Sequence, residues 1–301
     1  MRALRCVPAP SRRPAGLLPG LLGLLVLLAA PPAGAASLEA TPVEAAPVEG
    51  AWLGPVGLAD PADPLSLTAP GDLLLVIYNH GSRAEFRQDR CDPTGGGTPP
   101  AVAGLAGRPA GRLTVAVFAF CTRTRLGRFD ERTGEGEPKV VLRAAEIAGL
   151  AARFAAAGVP PRRIVLAGQS AGGWASLLAA ARSGEPLGGV IAFAPAFAGK
   201  AAGRPARWRQ LRDAQAAELA ARPRLPALVY AFPGDRFEPP ADLAFLAGVP
   251  DLTLVTWQPP AGVACARHEA HLGAFTDCFR AAEEGRLLGF LAERARTAGG
   301  A

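Results

Sequence analysis

From Gly71 onward, short uninterrupted apolar runs alternate with longer helical stretches. Residues 73–78 read LLLVIY and residues 113–120 read LTVAVFAF; 164–167, 189–194, 227–232 and 252–257 repeat the theme. Between them, residues 138–157 space Val141, Ala145, Ala148 and Ala152 at helical intervals and stop at Gly158. Residues 171–182 form an Ala/Leu helix ended by Gly184, 206–221 a charged amphipathic helix, 240–247 a further helix and 275–296 the last one. A strand that is apolar throughout has to be covered on both faces. The alternation therefore predicts an α/β fold: a mostly parallel central sheet, helices on both sides, right-handed crossovers. Sites in such sheets lie at the carboxyl ends of the strands. The segment between Ala194 and Ala227 is short, which predicts a small cap or none.

Half of the 301 residues are hydrophobic, which excludes global disorder and supplies a real core. The formal charge of +6 is misleading. Arg2, Arg5, Arg12 and Arg13 precede an apolar run; without them 32 − 4 = 28 positive residues face 26 acidic ones, a net +2. That balance gives no reason to expect a nucleic-acid partner. The run itself, 21–30 without interruption, falls short of the ~20 residues that span a bilayer. Ala33-Gly34-Ala35 offers a small-residue cleavage site. Residues 1–36 read as a secretory signal peptide, with an uncleaved anchor as the alternative, and the expected location is periplasmic or secreted with no membrane anchor after cleavage. Residues 37–70, rich in Pro and Ala, read as a leader with edge strands near 51–58, and 71–301 as the catalytic domain. Beyond Cys6, four cysteines remain, Cys91, Cys121, Cys265 and Cys278. In an exported chain they suggest two disulfides, with three possible pairings, and no C-x-x-C marks a metal or redox site.

Gly168-Gln169-Ser170-Ala171-Gly172 is a G-x-S-x-G between a predicted strand and a predicted helix. With 36 glycines and seven serines in the chain, about 0.1 such matches arise by chance, fewer still in that context. The glycines are required because the turn is sharp and leaves no room for side chains at its flanks. Ser170 then stands at a helix N-terminus, where N–H groups can meet an oxyanion. The chain has three histidines to serve as its base. His80 follows the first strand in Asn79-His80-Gly81-Ser82. His268 and His271 lie in Arg267-His268-Glu269-Ala270-His271, one residue short of the zinc-binding H-E-x-x-H.

A strand ending in His-Gly, then G-x-S-x-G, then an Asp after a later strand, then a His before the last helix resembles the α/β-hydrolase superfamily. The resemblance spans roughly 71–296. It implies a three-layer α/β-hydrolase fold and a triad of Ser170, Asp235 and His271, in the family's chain order. Asp235 lies in Pro233-Gly234-Asp235 after the strand at 227–232; Glu238 and Asp242 are alternative acids, and a plain turn aspartate is the alternative for Asp235. The oxyanion donors map to the backbone N–H groups of Ser82 and Ala171, and His80 becomes a residue that orients its loop. The expected activity is hydrolysis of a small-molecule ester or acyl substrate through an acyl-enzyme, without metal or cofactor. A serine peptidase and a catalytically idle binding protein on the same fold are the alternatives. The HGGG turn of lipases is absent, and the family's first strands are poorly visible, so the sheet is expected to be shortened at one edge. On this fold Cys91 and Cys121 both come near the carboxyl edge of the sheet, and Cys265 and Cys278 bracket His271. The expected disulfides are therefore Cys91–Cys121 and Cys265–Cys278.

Overall fold

The computed structural model describes residues 47–82, 97–122, 136–261, 265 and 270–299. Residues 1–36, expected to be a signal peptide, Cys91 and His268 lie outside them, as does most of the Cys265–His271 connection. The strands are β1 (Gly50–Leu53), β2 (Leu73–Asn79), β3 (Pro109–Ala110), β4 (Leu113–Phe120), β5 (Ile164–Gln169), β6 (Gly189–Phe193), β7 (Ala227–Ala231) and β8 (Leu252–Thr256). The helices are α1 (Pro100–Ala103), α2 (Lys139–Ala156), α3 (Ala171–Arg182), α4 (Ala206–Ala220) and α5 (Asp277–Ala298).

The eight strands form one sheet in the order β1-β4-β2-β5-β6-β7-β8, with β3 paired to β4. Every pairing from β4 to β8 is parallel; β1 and β3 join β4 antiparallel at the same edge. The shortened edge expected from sequence is thus closed by the four-residue β1 and the two-residue β3. β1 overlaps the edge strands expected near 51–58, whereas β3 was not read, because so short a segment shows no period.

Alternation along each strand divides the core in two. Leu75, Ile77, Leu166, Val190 and Val229 pack toward α2 and α3. Leu74, Val76, Tyr78, Val165, Ile191 and Tyr230 face the opposite way, against α1 and α5. Burial of both faces is why β2, β5, β6 and β7 read as unbroken apolar runs.

One predicted helix differs. Residues Pro240–Gly248 wind as a 3-10 helix. Pro239 and Pro240 lack N–H groups, so the first bond runs from the Asp242 N–H back to the Pro239 carbonyl, an i→i+3 link, and that tighter winding continues.

In-register parallel pairing aligns the carboxyl ends: Asn79 lies opposite Phe120 on one side and Gly168 on the other. His80, Cys121 and Gln169 are therefore carried to one edge of the sheet. No helix of the described residues is long and apolar enough to cross a membrane.

Candidate active site

The turn between β5 and α3 is as tight as its glycines require. A Cβ on Gly168 would come within 2.4 Å of the Gly172 carbonyl carbon, and one on Gly172 within 2.2 Å of the Asn79 carbonyl oxygen. Ser170 sits between them at φ 55°, ψ −124°, a backbone conformation that L-residues rarely adopt. Hydrogen bonds hold it there. Its N–H donates to Phe193 at 3.0 Å, and its carbonyl accepts from Trp174 and from Ala196, both at 3.0 Å.

Three residues separated by up to 101 positions converge on this turn. His271 Nε2 lies 2.8 Å from Ser170 Oγ, and His271 Nδ1 lies 2.8 Å from Asp235 Oδ2. All three are buried, with Ser170 the most exposed at 9%. The other Asp235 oxygen accepts the Phe237 N–H at 2.8 Å, so both carboxylate oxygens are engaged. A carboxylate beside Nδ1 favours the tautomer with its proton there, which leaves Nε2 a lone pair facing the serine hydroxyl. Of the alternative acids, Glu238 is fully buried, but its carboxylate meets Arg204 and Arg212 instead of an imidazole. Burial raises the Glu238 pKa, and the two guanidiniums oppose that rise. Asp242 contributes its backbone carbonyl to Arg212.

The turn after β2 approaches Ser170 from the other side. A Cβ on Gly81 would stand 3.2 Å from Ser170 Cβ. His80 Nδ1 donates to the Gly81 carbonyl at 2.8 Å, which fixes the peptide plane that carries the Ser82 N–H. Arg143 Nη1 donates to the His80 carbonyl at 3.0 Å. Burial, aided by the positive charge of Arg143, lowers the His80 pKa to about 4, against the opposing bond to Gly81. Ala171 begins α3, where N–H groups have no intrahelical acceptor.

Several supporting residues escape a reading of the sequence. The Phe237 ring lies over the His271 imidazole with centroids 4.2 Å apart. Gln169 Nε2 donates to the His271 carbonyl at 3.0 Å. Arg204, Glu238 and Arg212 join the loop after β7 to α4. The only signal for Gln169 was its place inside the G-x-S-x-G. Cys265 and Cys278 form a disulfide with Cα atoms 5.6 Å apart, which ties the segment before His271 to the first turn of α5. Cys121 is also disulfide-bonded; its expected partner, Cys91, is outside the described residues. No group of His, Cys, Asp and Glu among the described residues could hold a metal ion.

No protein-family model and no curated protein sequence matches the chain. Among solved structures, similar chains include an esterase, Est2, from the planctomycete Thermogutta terrifontis. It is 18% identical, with 74% of this chain and 83% of that one covered, at a TM-score of 0.41. A putative non-heme bromoperoxidase, BpoC, from Mycobacterium tuberculosis is 14% identical over 83% and 97%, at 0.46. SOBER1 of Arabidopsis thaliana is 12% identical over 74% and 99%, at 0.38. The chain has an α/β-hydrolase fold: a parallel sheet with antiparallel strands at one edge, and a serine at positive φ on the turn from its central strand into a buried helix.

Proposed function

We propose that the protein is an exported serine hydrolase that cleaves carboxylic esters on a Ser170–His271–Asp235 triad. The supporting observation is that one imidazole spans nucleophile and carboxylate, 2.8 Å from each. In the first half-reaction His271 Nε2 takes the Ser170 proton while Oγ attacks the ester carbonyl carbon. The N–H groups of Ser82 and Ala171 receive the developing oxyanion. The alcohol then leaves with the proton returned by His271. In the second half, water gives a proton to His271 and attacks the acyl carbon, and Ser170 departs with that proton. Asp235 stabilises the imidazolium in both halves. Export rests on the N-terminal signal pattern and suits the Cys265–Cys278 disulfide.

The test is covalent labelling with a fluorophosphonate, followed by peptide mapping, beside hydrolysis of p-nitrophenyl esters. Expected are a label on Ser170 and loss of both labelling and turnover in Ser170→Ala, with the fold kept. Folded wild-type protein that neither labels nor turns over any ester would overturn the proposal.

A further inference from the structure

Gln169 takes no part in the reaction above, yet its buried side chain reaches both halves of the site. We propose that Gln169 is a positioning residue that cross-braces the general base to the oxyanion turn. This rests on the ester-hydrolase reading of Ser170, His271 and Asp235.

Gln169 is the last residue of β5, one peptide before the nucleophile, on a strand paired on both sides. Val165 and Ala167, four and two residues earlier, pack on the α5 face of the sheet, and Gln169 follows them in register. Its Nε2 donates to the carbonyl of His271 at 3.0 Å. At the other end of the carboxamide, Oε1 occupies the space beside Gly81: a Cβ there would fall 2.1 Å from it. Asp235 and Ser170 hold the ring of His271, whereas Gln169 holds its main chain.

That division matters because His271 has no regular helix to fix it. It sits in the 3-10 segment Ala270–Phe275, which Leu272 interrupts with non-helical angles. A ring bonded at both nitrogens can still pivot if its Cα drifts, and each pivot lengthens one bond to shorten the other. A donor on the rigid central strand removes that freedom. The same side chain fills the space that a Cβ at position 81 would need. Movement of the oxyanion turn toward β5 would therefore push directly on the brace. Glutamine fits because its length and its N–H end suit a carbonyl 102 residues away, while its oxygen end lies on the turn.

The experiment uses the full chain with Gln169→Met, which keeps the volume without the donor, and Gln169→Glu, which keeps length and polarity without the donor. Hydrolysis of p-nitrophenyl acetate gives kcat and KM, the fluorophosphonate gives the labelling rate of Ser170, and thermal unfolding gives Tm. A misplaced base acts on the chemical step, so kcat and labelling rate should fall together by ~10- to 100-fold, with KM changed by less than about twofold. If Gln169→Met does not fold, Gln169→Glu is read by the same criteria. Variants with wild-type kcat, or losses that only follow the folded fraction, overturn the positioning role. So does failure of both variants to fold, which makes the brace purely structural. A wild-type protein without turnover or labelling overturns the ester-hydrolase reading itself, and the positioning role with it.

Discussion

His80 should make the protein acid-sensitive in a defined window. Its Nδ1–H is committed to the Gly81 carbonyl, the ring is buried, and Arg143 lies close by. Burial first and Arg143 second disfavour the charged ring, so its pKa falls from 6.5 to about 4 on folding. The unfolded chain therefore binds the proton more tightly than the folded one between those values. Stability attributable to His80 is full above pH 6.5 and is lost as pH falls toward 4. Integrating that difference gives about 3 kcal/mol at pH 4. Other carboxylates titrate over the same range, so the measurement is a difference. Urea unfolding of wild type and His80→Asn is compared at pH 7.5, 6, 5 and 4. Asn can offer a donor near the place of Nδ1 but does not titrate. Relative to wild type, His80→Asn should gain about 3 kcal/mol between pH 7.5 and pH 4, whatever its stability at neutral pH. Parallel pH curves for the two proteins would refute the argument, because they would mean that the ring accepts a proton equally well folded and unfolded.

Asp235→Asn and Glu238→Gln should separate catalysis from architecture. The first should abolish most ester turnover with little change in Tm. The second leaves Arg204 and Arg212 without their buried counter-ion and should cost ~3–5 kcal/mol in denaturant unfolding; an inversion of the two phenotypes would exchange their roles. Cys265→Ala with Cys278→Ala opens a loop whose ends are 13 residues apart, worth about 3 kcal/mol in the chain-entropy model. Activity should fall at temperatures where the fold is still intact by circular dichroism, and unchanged activity up to Tm would show that the bridge does not hold His271.

The fold was legible because its central strands are buried on both faces. Four of them, β2, β5, β6 and β7, carry few polar side chains to confuse the pattern. The elements that escaped are those whose conformation is decided elsewhere. β3 is two residues long and exists because β4 lies beside it, with Pro109 opposite Thr114 and Ala110 opposite Leu113. The turn between β5 and α3 was legible for a different reason: its constraint is local and steric. The backbone of Asn79 and of the turn itself excludes any side chain at Gly168 or Gly172, and glycines at those two positions are visible in any copy of the sequence.

Which carboxylate meets the imidazole was another matter, and the difference is electrostatic. Asp235 and Glu238 lie three residues apart on one loop, both buried, both carboxylates, and both after the same strand. Nothing in their own sequence context separates them. They are separated by what faces each one. α4 supplies Arg212, and the loop before it supplies Arg204; together they enclose Glu238 in a pair of guanidiniums. The segment before α5 supplies His271 to Asp235, while the Phe237 N–H occupies the second oxygen. A buried carboxylate needs partners wherever it lies, but only a partner that can gain and lose a proton near neutrality can do chemistry. Glu238 is enclosed by the guanidiniums of Arg204 and Arg212, whereas the imidazole that meets Asp235 also meets Ser170 Oγ. What each carboxylate meets is thus written in residues 26 to 36 positions away in the chain, and only folding brings them together.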